Sequence, residues 1–253
     1  MTLDLSPAPA AAHAWRRIVA HGLTEAGMLA RNGEQLLLAL VIPVALLFAG
    51  RYFGERFNIP FNLFAPSVMA LAIWSTGFTS IAITTAYERR YGVLERLAAT
   101  PIGRFGVLAG KALCVLLIIA GQGLVLSGVA LALGWRPHPT GPQTLIVALA
   151  VPLAVLTFAS LALALSGTLR AEATLALANL VYLAAAAGGG LLVPLERHPA
   201  ALQPVVAALP TAALGEAFRA WSAGSSAAWP LGVLAVWALL ASLLAAKAFR
   251  WTS

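Results

Sequence analysis

The sequence has little charge and a single cysteine in its 253 residues. Charged residues make up 10% of the chain, whereas about a quarter of the residues of an ordinary soluble domain are charged. Because 60% of the residues are hydrophobic, the composition excludes an ordinary soluble domain and leaves no room for a soluble catalytic one. Cys114 lies inside an apolar run, which excludes both a disulfide framework and a cysteine-based metal site.

Sequence patterns for catalysis and for nucleotide or metal binding are also missing. The nearest approach to a phosphate-binding loop, Gly106 to Lys111, has three residues between its glycines where four are needed. Ala112 stands where a Ser or Thr must bind magnesium. The histidines are scattered, and no serine lies in a Gly-x-Ser-x-Gly elbow. We therefore expect no enzymatic activity, no metal and no cofactor in this chain.

What the sequence does contain is a series of apolar runs of membrane-spanning length. A membrane-spanning helix needs about 20 predominantly apolar residues. Six runs qualify, at 34–50, 63–86, 108–134, 144–168, 173–193 and 229–248. The sequence therefore predicts an all-α integral membrane protein with six transmembrane helices. They form one domain over 13–253, after a disordered tail over 1–12.

The basic residues indicate how the chain is oriented. The net charge of +7 could suggest a nucleic-acid partner, but Lys and Arg lie at the ends of the apolar runs. With both termini in the cytoplasm, eleven of these residues fall on the inside and five on the outside. This distribution follows the positive-inside rule, so we expect a lipid bilayer and no nucleic acid as the partner of these charges.

The segment before the first span, 13–31, has the pattern of an amphipathic helix. Apolar residues, Trp15 among them, share one face at helical spacing, while basic and polar residues share the other. Such a helix beside a membrane span usually lies in the interface plane. The alternative is a cytoplasmic helix packed on protein.

The membrane core has no ionisable residue near the centre of any span, which argues against a proton-coupled carrier. Its polar residues are hydroxyls and amides: Thr76, Ser80 and Thr84 in the second span, and Asn179 and Tyr182 in the fifth. These five residues either line a substrate path or form hydrogen bonds between helices. Both interpretations stay open.

The segment at 194–228 is the longest one predicted outside the membrane. It is too apolar for a free loop, yet prolines that include Pro194 and Pro210 prevent one continuous helix. We expect two short helices half-buried in the outer leaflet. Glu216 and Arg219 are spaced for an ion pair.

Residues 87–111 form the one long charged insertion, with seven of the chain's 25 charged residues. Gly92 is expected to break the helix that leaves the second span, and Thr100-Pro101 to end a further helix of about seven residues. No charge from Glu88 to Arg96 has an opposite charge three or four residues away. The insertion is therefore either a solvated surface or a docking site.

The order of residues in this insertion resembles the cytoplasmic signature of type-2 ABC exporter permeases. The matching residues are Glu88, Gly92, Leu94-Glu95-Arg96-Leu97, Thr100-Pro101 and Gly110-Lys111. The departures are Arg89-Arg90-Tyr91 before the glycine and Val93, where a Thr is frequent; neither disturbs the spacing. The amphipathic helix and the proline-broken segment are similar to the family's interfacial and external re-entrant helices.

The resemblance implies a plasma-membrane permease that exports an amphiphile, such as a drug or lipid. It implies two copies of a separate ATPase, which carries the ATP and Mg, and a second permease copy, identical or paralogous. A short cytoplasmic coupling helix within 87–107 would dock on the ATPase. Glu95 and Arg96 would face a cleft, and Leu94 and Leu97 would fill its apolar floor. The implied coupling residues are Glu88, Arg89, Arg90, Gly92, Leu94, Glu95, Arg96, Leu97, Thr100 and Pro101. The competing functions are a self-contained secondary transporter or channel and a membrane-embedded enzyme.

Overall fold

The computed structural model describes residues 12–31 and 33–249, except for the side chains of 33–39, 55 and 57. Most of the predicted tail, residues 1–11, lies outside the described residues. The helices are α1 (Ala14–Arg31), α2 (Gly33–Phe53), α3 (Phe61–Trp74), α4 (Ile81–Arg90), α5 (Val93–Ala98), α6 (Gly103–Ala132), α7 (Gly141–Thr168), α8 (Ala171–Gly188), α9 (Gln203–Ala207), α10 (Pro210–Ala223) and α11 (Trp229–Ala248). A π-helical segment, Ser75–Ser80, joins α3 to α4. No strand occurs in the described part of the chain.

Five of the helical stretches in the described residues are long and apolar enough to cross a membrane. They are Phe61–Arg90, Gly103–Ala132, Gly141–Thr168, Ala171–Gly188 and Trp229–Ala248. These stretches coincide with the second to sixth predicted spans, which confirms the all-α membrane fold. The first predicted span overlaps α2, in which Leu40–Phe53 is a shorter apolar helix. Its crossing of the membrane stays a prediction.

Glycines account for the two largest differences between predicted and observed span ends. α6 starts at Gly103, five residues before the predicted 108. Gly103 has φ +66°, a left-handed conformation open to glycine, so the chain turns there and the next helix begins at once. α8 ends at Gly188, five residues before the predicted 193, because two further glycines follow and Gly190 has φ +74°.

The second span is the central element of the bundle. Every residue of α3 from Ala65 to Trp74 is buried, and α2, α6, α7 and α10 pack around it. Small residues along this helix let its neighbours approach closely. The Trp74 ring stacks on Phe78 at 4.4 Å between centroids and meets Phe158 of α7 edge-on at 4.7 Å. The outer faces of the surrounding helices expose leucines, as expected of surfaces in contact with lipid.

The π-helical segment lies in the middle of this central span. Gly77 faces α7, where an added Cβ would meet the Phe158 side chain at 3.4 Å. The Thr76 hydroxyl donates to Gln122 Oε1 of α6 at 2.8 Å. Short π segments inside α-helices occur often at functional sites.

The proline-broken segment is packed differently from the prediction. Instead of two helices half-buried in the membrane surface, it has a 3-10 turn at Leu195–Arg197, the five-residue α9 and the 14-residue α10. Eleven of the α10 residues are buried against α3, α7 and α11, so this helix belongs to the protein core. Arg219 is buried with this helix and donates to the Ser67 hydroxyl and to the carbonyls of Gly190 and Leu191 at 2.7–2.8 Å. A buried charge requires partners of this kind.

Candidate functional site

The charged insertion folds as a turn, a short helix and a second turn. α4 ends at Arg90, and Gly92 has φ +67°, with nothing within 4 Å of a Cβ added there. Glycine is therefore needed at position 92 because it readily adopts the left-handed conformation, and not because a side chain would clash with neighbouring atoms. The Thr100 hydroxyl donates to the Leu97 carbonyl at 2.6 Å where α5 ends. The predicted short helix between Gly92 and Pro101 is thus present.

The faces of α5 differ from the prediction in one respect. Glu95, Arg96 and Val93 are exposed, whereas Leu94 is only 1% exposed and lies inside the protein. The expectation that Leu94 would fill an apolar cleft on a partner is therefore wrong. Leu94 instead anchors α5 to the helices beneath it, α4 and α6. Leu97 is half-buried, so only part of its side chain is accessible to a partner protein.

Glu88 faces into the protein, where it belongs to a buried ion-pair cluster. Lys111 Nζ lies 2.7 Å from Glu88 Oε1 and 3.2 Å from Glu25 Oε1. Glu25 Oε1 is in turn 3.3 Å from Nε2 of His21. We call these four residues the anchor cluster; their side chains are between 11% and 19% exposed. Because loss of one partner leaves an uncompensated buried charge, such a cluster holds its elements firmly together.

Two further contacts fasten α1 to the helices of the insertion. A Cβ added to Gly22 would come 2.9 Å from the Gly110 carbonyl oxygen, and one added to Gly110 would overlap the His21 ring. The two glycines therefore permit close packing of α1 on α6. The Arg17 guanidinium donates to the carbonyl of Pro101, just beyond α5. α1 thus lies against both the base of α6 and the end of the short helix.

Arg89 and Arg90 join α4 to the turn between α7 and α8. The Arg89 guanidinium donates to the carbonyls of Gly167 and Leu169, where α7 ends and its last carbonyls lack helical partners. Arg90 pairs with Glu172 in the first turn of α8. A cavity of about 460 Å³ lies between α4 and this turn.

Six of the ten predicted coupling residues separate into two groups, whereas Gly92, Thr100 and Pro101 lie at the ends of α5 and Leu97 is half-buried. Glu95 and Arg96 are exposed on α5, and Glu95 has no ion pair among the described residues. Glu88, Arg89, Arg90 and Leu94 hold the insertion to the rest of the protein. Their roles in coupling stay predictions.

Sequence reasoning missed the contribution of α1 to this site. Glu25 is the one acidic residue between positions 13 and 31, and it follows His21 by one helical turn. This isolated acid in a basic helix was the available signal for a buried partner. The partner is Lys111, which lies 86 positions further along the chain. Helical periodicity relates only neighbouring residues, so it could not predict this pair.

The predicted substrate-path residues differ in burial and in their hydrogen-bond partners, and their role in a substrate path stays a prediction. Thr76 is buried and bonded to Gln122, which is the interhelical hydrogen bond of the alternative interpretation. Tyr182 is half-buried on α8, and its hydroxyl lies near the side chain of Ser75. Three of the residues are exposed: Ser80 at the end of the π-helical segment, Thr84 on α4 and Asn179 on α8. The Asn179 amide donates to the Leu175 carbonyl. An apolar cavity of about 410 Å³ beside them is lined by none of these five residues.

The predicted residues of the proline-broken segment lie around one ion pair. Arg219 Nη2 and Glu216 Oε1 are 2.8 Å apart, as their spacing predicts. The same carboxylate oxygen accepts the Leu195 N–H, one residue after Pro194. Pro210 is the first residue of α10, a position where its missing N–H costs no helical hydrogen bond. This arrangement is fully explained by structural pairing.

Comparisons with known proteins agree with this architecture. Residues 36–247 match the sequence profile of ABC-2 family transporter proteins. Over 172 residues the chain is 29% identical to the probable doxorubicin resistance ABC transporter permease protein DrrC of Mycobacterium tuberculosis, in strains CDC 1551 / Oshkosh and ATCC 25618 / H37Rv. The match spans 67% of this chain and 62% of the relative's length. Because the family profile covers most of the chain, including all five membrane-length helices and α5, the chain belongs to the ABC-2 family of transporter proteins.

Proposed function

We propose that this chain is the membrane-spanning permease subunit of an ATP-driven exporter. The observation that carries the proposal is α5, a short helix between Gly92 and Pro101 that exposes Glu95 and Arg96. Its buried Leu94 and the anchor cluster beneath it make α5 a rigid surface. In a member of the ABC-2 family, such a surface suits docking of a separate ATPase.

In this proposal ATP-driven closure of two ATPase copies pushes on α5. Leu94 transmits the force into the protein, and Gly92 and Pro101 confine the movement to a short helix that cannot extend. Lys111 carries the displacement from α4 to α6 and, through Glu25, to α1. The second span, which packs against most of the other helices, then tilts with α4 and opens a path between two permease copies.

The orientation and the cargo are part of the same proposal. We propose that α5 and both termini lie in the cytoplasm and that the chain spans the plasma membrane; the positive-inside rule supports this orientation. The relative's name refers to doxorubicin resistance, and the apolar outer faces of the spans suit an amphiphilic cargo. ATP and Mg would be held by the ATPase, since no P-loop occurs in this chain.

Charge reversal on α5 tests the proposal. The chain is co-expressed with a P-loop ATPase of the ABC type from the same genome, and the complex is purified and reconstituted in proteoliposomes. We expect Glu95→Arg to reduce the ATPase recovered with the tagged permease by about tenfold, the loss of one well-placed charged contact. ATP-dependent doxorubicin movement should fall with it.

Glu196→Arg is the matched control, because Glu196 is equally an exposed acid but lies in the proline-broken segment, far along the chain from α5. Equal recovery of the ATPase with both variants would overturn the docking assignment. Doxorubicin movement driven by an ion gradient without any ATPase would instead favour a self-contained transporter.

A further inference from the structure

The cavity of about 460 Å³ between α4 and the α7–α8 turn is lined mainly by basic residues. Its lining residues are Ala86, Arg89, Arg90, Arg170, Ala171 and Glu172. Three guanidinium groups and one carboxylate give the lining a net charge of +2. Structural contacts account for two of these arginines, Arg89 and Arg90, but not for Arg170.

The arginines of this cavity differ in whether their side chains have hydrogen-bond or ion-pair partners within the chain. Arg89 donates to two backbone carbonyls of the α7 end, and Arg90 pairs with Glu172. The Arg170 side chain is exposed and has no polar partner among the described residues. A guanidinium offers five N–H donors in a planar fork that matches the oxygens of a phosphate. Arg170 is therefore free to bind an anion from outside the chain.

The backbone beside the cavity favours an anion as well. Arg170 is the N-cap of α8, an 18-residue helix, and its side chain makes no capping hydrogen bond. The first N–H groups of a helix lack helical acceptors and carry the positive end of its dipole. The cavity thus combines the guanidinium of Arg170, which has no partner among the described residues, the guanidinium groups of Arg89 and Arg90, and the N-terminal end of a long helix.

We infer that this cavity binds the phosphate group of an anionic phospholipid. It lies where the apolar stretches of α4, α7 and α8 end, which is the depth of lipid headgroups in a spanning bundle. From the cavity, α8 continues with an exposed apolar face that includes Leu175, Leu180 and Leu183. Acyl chains attached to a phosphate in the cavity can lie along this face. Basic pockets between membrane helices commonly bind acidic headgroups.

Docking of the ATPase at the same place is less well supported. α5, the proposed ATPase contact, packs on α4 and α6, whereas the cavity lies between α4 and the α7–α8 turn. That turn consists of two residues, Leu169 and Arg170, so it does not project from the bundle. The lipid site does not rest on the proposed function, and its test uses no ATPase.

Lipid retention by the purified chain tests the inference. The chain is titrated in detergent with phosphatidylglycerol or with phosphatidylcholine of the same acyl chains, and bound lipids are counted by native mass spectrometry. We expect phosphatidylglycerol to bind with higher affinity. Arg170→Gln should weaken its binding by about tenfold, as expected for loss of a charge-assisted hydrogen bond. Arg170→Lys should retain part of the affinity.

Lys247→Gln is the matched control. It removes one exposed positive charge at the same end of the bundle, since Ala248 and Thr168 share a cavity, but Lys247 does not line the basic cavity. Because Arg170 has no partner within the described chain, its replacement should leave the thermal unfolding temperature unchanged. Equal weakening by both variants, or no preference of the wild-type chain for phosphatidylglycerol, would overturn the inference.

Inorganic phosphate separates a lipid from a soluble phosphate as the occupant. If the site takes a lipid headgroup, millimolar phosphate should compete only weakly, because it has no acyl chains to contact α8. Saturation of the Arg170-dependent site by inorganic phosphate alone, with no binding of phosphatidylglycerol there, would contradict the lipid assignment.

Discussion

Lys111 is the residue on which the geometry of the charged end depends most. Its ammonium group lies between the carboxylates of Glu88 and Glu25 and is largely shielded from solvent. It therefore connects three separate helices, α4, α1 and α6. Two carboxylates so close together need this positive charge, because like charges repel strongly where water is scarce.

Replacing Lys111 should therefore be costly. We expect Lys111→Met to lower the free energy of unfolding by about 3 kcal/mol, since it leaves buried carboxylates without a partner. Unfolding of the purified protein in mixed micelles with increasing SDS measures this change. The control is Lys247→Met, an exposed lysine in the last turn of α11, whose effect should stay below about 0.5 kcal/mol.

A second substitution separates lost ion pairing from lost packing. Adding Glu88→Gln and Glu25→Gln to Lys111→Met removes the stranded charges, so part of the stability should return. If Lys111→Met is as stable as the wild type, or if the added glutamines restore nothing, the ion-pair explanation is incorrect.

Among the elements, α5 has two faces with separate tasks. Its inner face, represented by Leu94, attaches the helix to α4 and α6. Its outer face, represented by Glu95, has no ion pair in the described part of the chain. Substitutions on the inner face should consequently change stability, and substitutions on the outer face should change association with the ATPase.

Leu94→Ala should reduce stability, whereas Glu95→Arg should reduce association with the ATPase. Truncation of a fully buried leucine costs about 2–5 kcal/mol, and a substitution at an exposed site usually stays within about 0.5 kcal/mol. SDS unfolding of both variants gives this comparison. Val93→Ala, on the exposed side of the same helix, is the control and should behave like the wild type. Equal stability of Leu94→Ala and Val93→Ala would contradict the anchoring role.

Sequence patterns predicted those elements whose signals are local. Five of the six predicted spans correspond to membrane-length helices, and Gly92 and Pro101 predicted the limits of α5, because left-handed glycines and prolines act on their own neighbours. The i,i+3 spacing of Glu216 and Arg219 predicted their ion pair for the same reason.

Long-range contacts could not be predicted in this way. Buried Arg219 of α10 donates to Ser67, 152 residues away, whereas composition alone predicted that this segment is half-buried in the membrane surface. In the sequence, Lys111 belongs to the charged insertion, which was interpreted as a solvated surface or a docking site. In the structure it pairs with Glu25 of α1. Leu94 and Leu97 occupy equivalent positions in the motif, and only the packing of α5 decides which of them is buried.

For the whole molecule, the central second span connects the two ends of the bundle. α10 packs on α3 at one end, and α5 packs on α4 at the other. One continuous helical element therefore joins the packing site of α5 to that of the proline-broken segment. The proposed mechanism requires these two ends to lie on opposite sides of the membrane.

Cysteine labelling in intact cells tests this orientation. Single cysteines at Ala99 and Ser225, both exposed, are introduced with Cys114→Ala, which removes the buried native thiol. A membrane-impermeant maleimide applied from outside should label the cysteine at 225 and leave that at 99 unmodified until the cells are permeabilised. Labelling at 99 but not at 225 in intact cells would reverse the topology.

Photo-crosslinking from α5 is the most direct test of the central claim, that this helix docks on an ATPase. A photoreactive benzophenone amino acid is placed at position 95, or at position 196 as the control, in the chain co-expressed with the same P-loop ATPase. We predict a crosslinked permease–ATPase product from position 95 and none from position 196. Absence of the product at position 95, or equal yields from both positions, would contradict the account.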